Sequence, residues 1–292
     1  MARPIITLLM PTRRSLRTAA MLGAWVLAAL PAQSQWLNYP TPGLPRTSDG
    51  KPDLSAPAAI RDGHPDLTGV WTSECGIYGR DACFPMRGLF FDLARDLAPE
   101  EVTMTPWAAG IAAQRSSRDH VDDPLGYCLP PGFPRITFGG GPFKIVHAPG
   151  VTAFFYETLA GPMFRQVFTD GRPLPADPEP SWLGYSVGRW DGNAFIVETT
   201  GLRDGGWLDT RVGRPHSDAL RVTERFERSS IGTMVLTLTI DDPKAFRKPW
   251  TIRAPLSLLP DTDLIESFCD GHQKTMERRL ITPAPPEPPS PR

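Results

Sequence analysis

The run Gly184-Tyr185-Ser186-Val187-Gly188-Arg189-Trp190, then Asp191-Gly192, then Asn193-Ala194-Phe195-Ile196-Val197-Glu198-Thr199-Thr200, sets the architecture. Two segments rich in β-branched and aromatic residues flank an Asp-Gly pair. That pair supplies the positive φ angles of a type I′ turn, so the stretch reads as a β-hairpin. The same grammar extends on both sides. Upstream, Phe143 to Ala148 breaks at Pro149-Gly150, Val151 to Thr158 at Gly161-Pro162, and Met163 to Thr169 at Asp170-Gly171, each pair reading as a hairpin. Downstream, Leu220 to Arg228, Thr233 to Ile240, Trp250 to Leu258 and Asp263 to Cys269 continue the meander. About eight or nine strands with no helix among them predict a mainly β fold, an antiparallel up-and-down β-barrel closed so that no edge is left unpaired.

Before the strands lies one short N-terminal helix: Thr105 is an N-cap, Pro106 takes the first helical position, and Trp107 to Arg118 continues with Ala-rich helix formers. Outside the barrel the composition changes. Residues 1–34 read as a signal peptide: Arg13, Arg14 and Arg17, an apolar run from Ala19 to Leu30, then Pro31-Ala32-Gln33-Ser34 as a small-residue cleavage site. The run Thr12-Arg13-Arg14-Ser15-Leu16-Arg17 fits either a twin-arginine or an ordinary secretory signal, so the expected location is periplasmic or secreted. Residues 35–65 carry Pro40, Pro42, Pro45, Pro52 and Pro57 and read as a linker, 66–280 as the barrel domain, and 281–292 as a Pro-rich tail.

The 292 residues hold 31 Lys+Arg against 32 Asp+Glu, and beyond residue 34 the net charge is −5. This balance argues against a nucleic-acid partner, which calls for a basic stripe. No run after residue 34 approaches the ~18 apolar residues of a membrane span. Four cysteines in an exported chain suggest two disulfides. Cys75 and Cys83 are near enough in sequence to close a small loop, which leaves Cys128 with Cys269.

Gly69-Val70-Trp71, within Pro65 to Trp71, resembles the first-strand signature of lipocalin-like barrels. The chain is also similar to members of a family of exported bacterial proteins. The similarity lies in Pro65-Asp66-Leu67-Thr68-Gly69-Val70-Trp71, in Cys128-Leu129-Pro130-Pro131-Gly132-Phe133-Pro134-Arg135, in Phe168 to Pro175, in Gly184 to Trp190 and in Pro215 to Phe226. The resemblance implies export and a lipocalin-like barrel. It carries no activity, so the chemistry has to come from the residues.

Strand alternation puts Val222, Glu224 and Phe226 on one face, so Glu224 shares an apolar surface. A carboxylate facing a barrel interior must pair, with an arginine such as Arg165 or Arg189, or shift its pKa as general acids and bases do. His216, between a turn and a strand, is the acid/base candidate, with Asp209 or Asp218 to orient it. Arg165, Arg172, Tyr185, Glu198, Trp207 and Arg221 are candidate ligand-binding residues. Ser186 fits G-x-S-x-G, but the motif runs into a hairpin where a nucleophile elbow needs a strand, turn and helix. No tight His/Cys spacing, P-loop or dinucleotide motif is present, so no metal or cofactor is expected. The aromatic supply suits a pocket for a small hydrophobic or aromatic molecule. Three roles follow: a binding protein, a cofactor-independent lyase, isomerase or hydratase using His216 and Glu224, or an envelope interaction protein.

Overall fold

The computed structural model describes residues 39–73, 91–139, 141–158, 160–266 and 269. The segment read as a signal peptide, Cys75 and Cys83, and the tail lie outside the described residues. Nine strands close a barrel: β1 (Gly69–Ser73), β2 (Phe143–Ala148), β3 (Val151–Tyr156), β4 (Met163–Phe168), β5 (Tyr185–Asp191), β6 (Ala194–Thr200), β7 (Arg221–Arg228), β8 (Thr233–Asp241) and β9 (Trp250–Leu258). Each strand neighbours the one before it in the chain, and β9 closes the ring on β1 through Leu256↔Ser73, Ser257↔Thr72 and Leu258↔Trp71. The strand carrying Gly69-Val70-Trp71 is therefore the closing strand.

The ring is not purely antiparallel, as the hairpin grammar had led us to expect. An odd number of strands cannot alternate direction all the way round, so one neighbouring pair must run parallel. That pair is β4 with β5. Asp170-Gly171 does not make a hairpin; residues 169–184, with Pro173, Pro175, Pro178 and Pro180, carry the chain back to the end where β4 began. A parallel pair needs such a crossover. Asp263 to Leu264 and onward to Glu266 form no strand either, because β1 occupies the place beside β9. The Asp191-Gly192 hairpin exists, shifted by one residue. Asp191 pairs with Ala194, and Gly192 takes a φ of 58° while Asn193 stays at negative φ, a turn with glycine first instead of type I′.

Period-two alternation fills the interior. Trp71, Phe143, Phe154, Phe195, Phe226, Leu236 and Leu238 are buried there, each large side chain contributing about 1.5–3 kcal/mol relative to exposure. Trp71 donates its Nε1–H to the Leu67 carbonyl at 2.9 Å, and the Arg228 guanidinium lies 4.8 Å over its ring.

The helix, α1 (Pro106–Ser117), lies between β1 and β2 in the chain, with the Thr105 hydroxyl accepting from Ala108 N–H. It packs on a two-residue ladder in which Gly206–Trp207 pairs with Pro215–His216. The segment read as a linker docks onto the barrel: Leu54 and Ala56 carbonyls accept from Gly232 and Ile231 at 2.8 Å, and His64 stacks on Trp190 with ring centroids 4.5 Å apart. Cys128 and Cys269 are disulfide-bonded, with Cα atoms 5.6 Å apart. Among the described residues, no helix is long and apolar enough to cross a membrane.

Candidate functional site at the parallel seam

The parallel seam is the weak join of the barrel. β4 and β5 pair through Val167↔Ser186 and Phe168↔Val187 alone, whereas β5 and β6 pair along their whole length from Tyr185↔Thr200 to Asp191↔Ala194. Where the ladder stops, the strands part. An open cleft of about 540 Å³ lies between Met163–Gln166 of β4 and Ser181–Tyr185 of the incoming chain, with Pro130 and Pro162 also in its lining. Its walls include Phe164, Phe168, Trp182 and Tyr185, and Phe164 is 60% exposed. Gly184 is required at the rim: its φ is +68°, and an added Cβ would sit 2.6 Å from the Thr200 carbonyl oxygen.

Among the described residues of the lining Arg165 alone is charged, and its guanidinium is turned away from the cleft into the lumen. Its side chain points inward from β4, as the alternation of its strand dictates, and meets Glu224 of β7 at 2.5 Å (Nη2 to Oε2). Phe133 and Phe154 flank the guanidinium at 4.1 and 4.8 Å from their ring centroids, a cation–π arrangement. Nη1 and Nε of Arg165 are buried and have no hydrogen-bond partner. Tyr156 projects from β3 into the same region. Its hydroxyl approaches Thr137 without hydrogen-bond geometry, and burial pushes it up to about 12, so it remains a phenol. Burial likewise pushes the Glu224 carboxyl up, with Arg165 opposing. Burial works against the Arg165 cation, and Glu224 outweighs it.

Of the residues singled out from sequence, the structure brings Tyr185 and Arg172 to this seam, and pairs Arg165 with Glu224 in the lumen behind it. Arg172 lies 3.9 Å over the Phe168 ring, donates to the Tyr185 hydroxyl at 3.3 Å and pairs with Asp170. The others lie elsewhere. Glu198 points outward and pairs with Arg189, as follows from Val197 being buried. Arg221 is exposed on the outer face of β7. Trp207 is buried under the Arg115 guanidinium, 4.1 Å from its ring.

His216 is not at a loop mouth but buried, its Nδ1 facing the Ser217 carbonyl at 3.1 Å and its Nε2 edge against Gly206. Burial lowers its pKa. Asp209, also buried, does not orient His216; it accepts the Gly213 and Arg214 backbone N–H groups and pairs with Arg214 at 2.5 Å, which holds the 209–214 turn. Ser186 lies within β5, paired across to β6 with its hydroxyl 2.9 Å from that of Thr199, so it sits on no nucleophile elbow. The sequence reading missed Phe133, which reaches Arg165 from the Cys128-to-Arg135 run. Its N–H donates to the Trp182 carbonyl at 3.0 Å, tying that run to the cleft wall. Among the described residues, no three His, Cys, Asp or Glu side chains are grouped to hold a metal ion.

Comparison with protein-family models, with curated proteins and with solved structures found no match to this chain.

Proposed function

We propose that the protein is an exported binder of small, largely apolar aromatic molecules, which it takes into the cleft at the β4–β5 seam. The observation that carries this is the cleft itself: about 540 Å³, walled by the aromatic side chains of Phe164, Phe168, Trp182 and Tyr185. Small-molecule sites have this volume and this mixture of apolar wall and few polar groups. An acid/base role for His216 with Glu224 has no such support, because the two have no partner in common: His216 faces Ser217 and Gly206, and Glu224 faces Arg165.

The test is a titration with N-phenyl-1-naphthylamine, a neutral aromatic fluorophore, followed by its emission. Saturable binding is expected, weakened about tenfold by Phe164→Asp, which puts an exposed charge on the apolar wall. Ile60→Asp, at a residue that is exposed and outside the lining, should leave it unchanged. Absence of saturable binding, or equal affinity in the Phe164 variant, would overturn the proposal.

A further inference from the structure

We propose that the Pro-rich segment 281–292 of this same chain docks on the aromatic face of the seam cleft and competes there with the small molecule. This rests on the cleft being a binding site, as proposed above, and adds what covers it when no ligand is bound.

The segment has one sequence period. Six of its twelve residues are proline: Pro283, Pro285, Pro286, Pro288, Pro289 and Pro291. Polyproline II repeats every three residues, so Pro283, Pro286 and Pro289 fall on one edge, Pro285, Pro288 and Pro291 on a second, and Ala284, Glu287 and Ser290 on the third. Two proline edges beside a polar one suit an aromatic-lined groove, at low entropic cost because proline fixes φ in advance. The barrel presents such a surface. Phe155, 42% exposed, and Phe164, 60% exposed, stand directly opposite one another on the outer face of β3 and β4. From Phe164 the surface continues into the cleft wall with Phe168, Trp182 and Tyr185. Contiguous exposed apolar surface of this kind marks an interaction site. Arg203, exposed, lies 4.0 Å over the Trp182 ring, and Glu287 midway along the segment is the complementary charge.

Position selects the occupant. Cys269, the last described residue, is disulfide-bonded to Cys128, and Leu129, 46% exposed, and Pro130 of the cleft lining follow Cys128 directly. The disulfide thus holds the chain beside the cleft at residue 269. The residues from 270 to 280 span up to about 36 Å when extended, more than enough to bring 281–292 onto the cleft. A segment tethered so closely has an effective concentration there on the order of 1 mM, which a proline-rich segment of another protein does not have.

The experiment titrates the full chain with N-phenyl-1-naphthylamine beside two variants: the chain ending at Leu280, and the full chain with those six prolines changed to serine. A segment that covers the cleft about nine-tenths of the time weakens apparent affinity about tenfold, so both variants are expected to bind the fluorophore about tenfold more tightly than the full chain. Calorimetry of the synthetic peptide 281–292 against the chain ending at Leu280 is expected to show binding, weakened about tenfold by Phe164→Asp. Equal fluorophore affinity in all three proteins would leave the cleft as a binding site and overturn its covering by the segment. Peptide binding unmoved by Phe164→Asp would put the segment elsewhere and overturn it as well. A full chain whose fluorophore affinity falls as protein concentration rises would show the segment reaching a second copy, against docking within one chain. Absence of fluorophore binding in all three would remove the cleft reading and this inference with it.

Discussion

Arg165 of β4 and Glu224 of β7 meet across the barrel interior, Nη2 to Oε2 at 2.5 Å, with each side chain 1% exposed. Three strand-to-strand steps separate β4 from β7 around the ring, so the pair spans the lumen and ties its two sides together. Removing one partner leaves an uncompensated buried charge. Glu224→Ala is expected to lower unfolding free energy by about 3–5 kcal/mol, while Arg165→Met with Glu224→Leu should recover all or most of it. Urea unfolding of the two single variants and the double variant measures this. A double variant no more stable than the singles would show that the polar pair itself is required.

Buried His216 and half-buried His147 set a pH dependence. Burial lowers the pKa of His216 and of His147 below the ordinary histidine value of about 6.5, so the folded protein holds both neutral where the unfolded chain takes up protons. The stabilisation is complete above pH 6.5 and is lost as pH falls through the folded values, at up to about 1.4 kcal/mol per pH unit for each histidine. Urea midpoints between pH 7.5 and 5.0 should fall with acidification, and less steeply in His216→Gln. An unchanged slope in that variant would place the titration elsewhere.

How far the fold was legible in the sequence follows from what period-two alternation can and cannot carry. It placed Glu224 inside, offered Glu198 for a ligand site although the structure turns it outward, and located every barrel strand from Phe143 to Leu258 to within two residues at each end. Alternation has no memory of direction, so it could not tell that β5 lies parallel to β4. The prolines of residues 169–184 were the available signal, since a hairpin has no use for so long a connection. The cleft follows from that parallel seam and was hidden for the same reason. Arg165 was legible as a partner for Glu224, because a buried carboxylate needs one. Phe133 was not, since nothing local indicates that a Pro-rich loop will insert a ring beside a strand on the far side of a crossover.

The disulfide joins residues 141 positions apart, Cys128 before the barrel's second strand and Cys269 beyond its last. It anchors the run that delivers Phe133 to Arg165. Loop closure of that length removes much unfolded-state entropy, and Cys128→Ser with Cys269→Ser is expected to cost about 2–5 kcal/mol in urea unfolding. Reductant should lower the wild type to the level of this variant and leave the variant unmoved. A reductant effect persisting in the variant would point to Cys75 and Cys83.

Gly206 and His216 occupy one space. A Cβ on Gly206 would collide with Nε2 and Cε1 of the buried His216 ring, so that ring would have to shift. Gly206 is not among the glycines with positive φ, so the requirement for glycine is steric, and the nearest atoms to the added Cβ are those of the imidazole. Gly206→Ala should therefore cost about 1–3 kcal/mol by overpacking. His216→Ala should also destabilise, through the cavity it leaves. Combined, the two should be less destabilising than their sum, because the new methyl occupies the space the ring vacates. Thermal unfolding of the four proteins closes this cycle. Strict additivity would mean that the ring moves aside at no cost, and that the burial of His216 is not what fixes the Gly206–Trp207 ladder against α1.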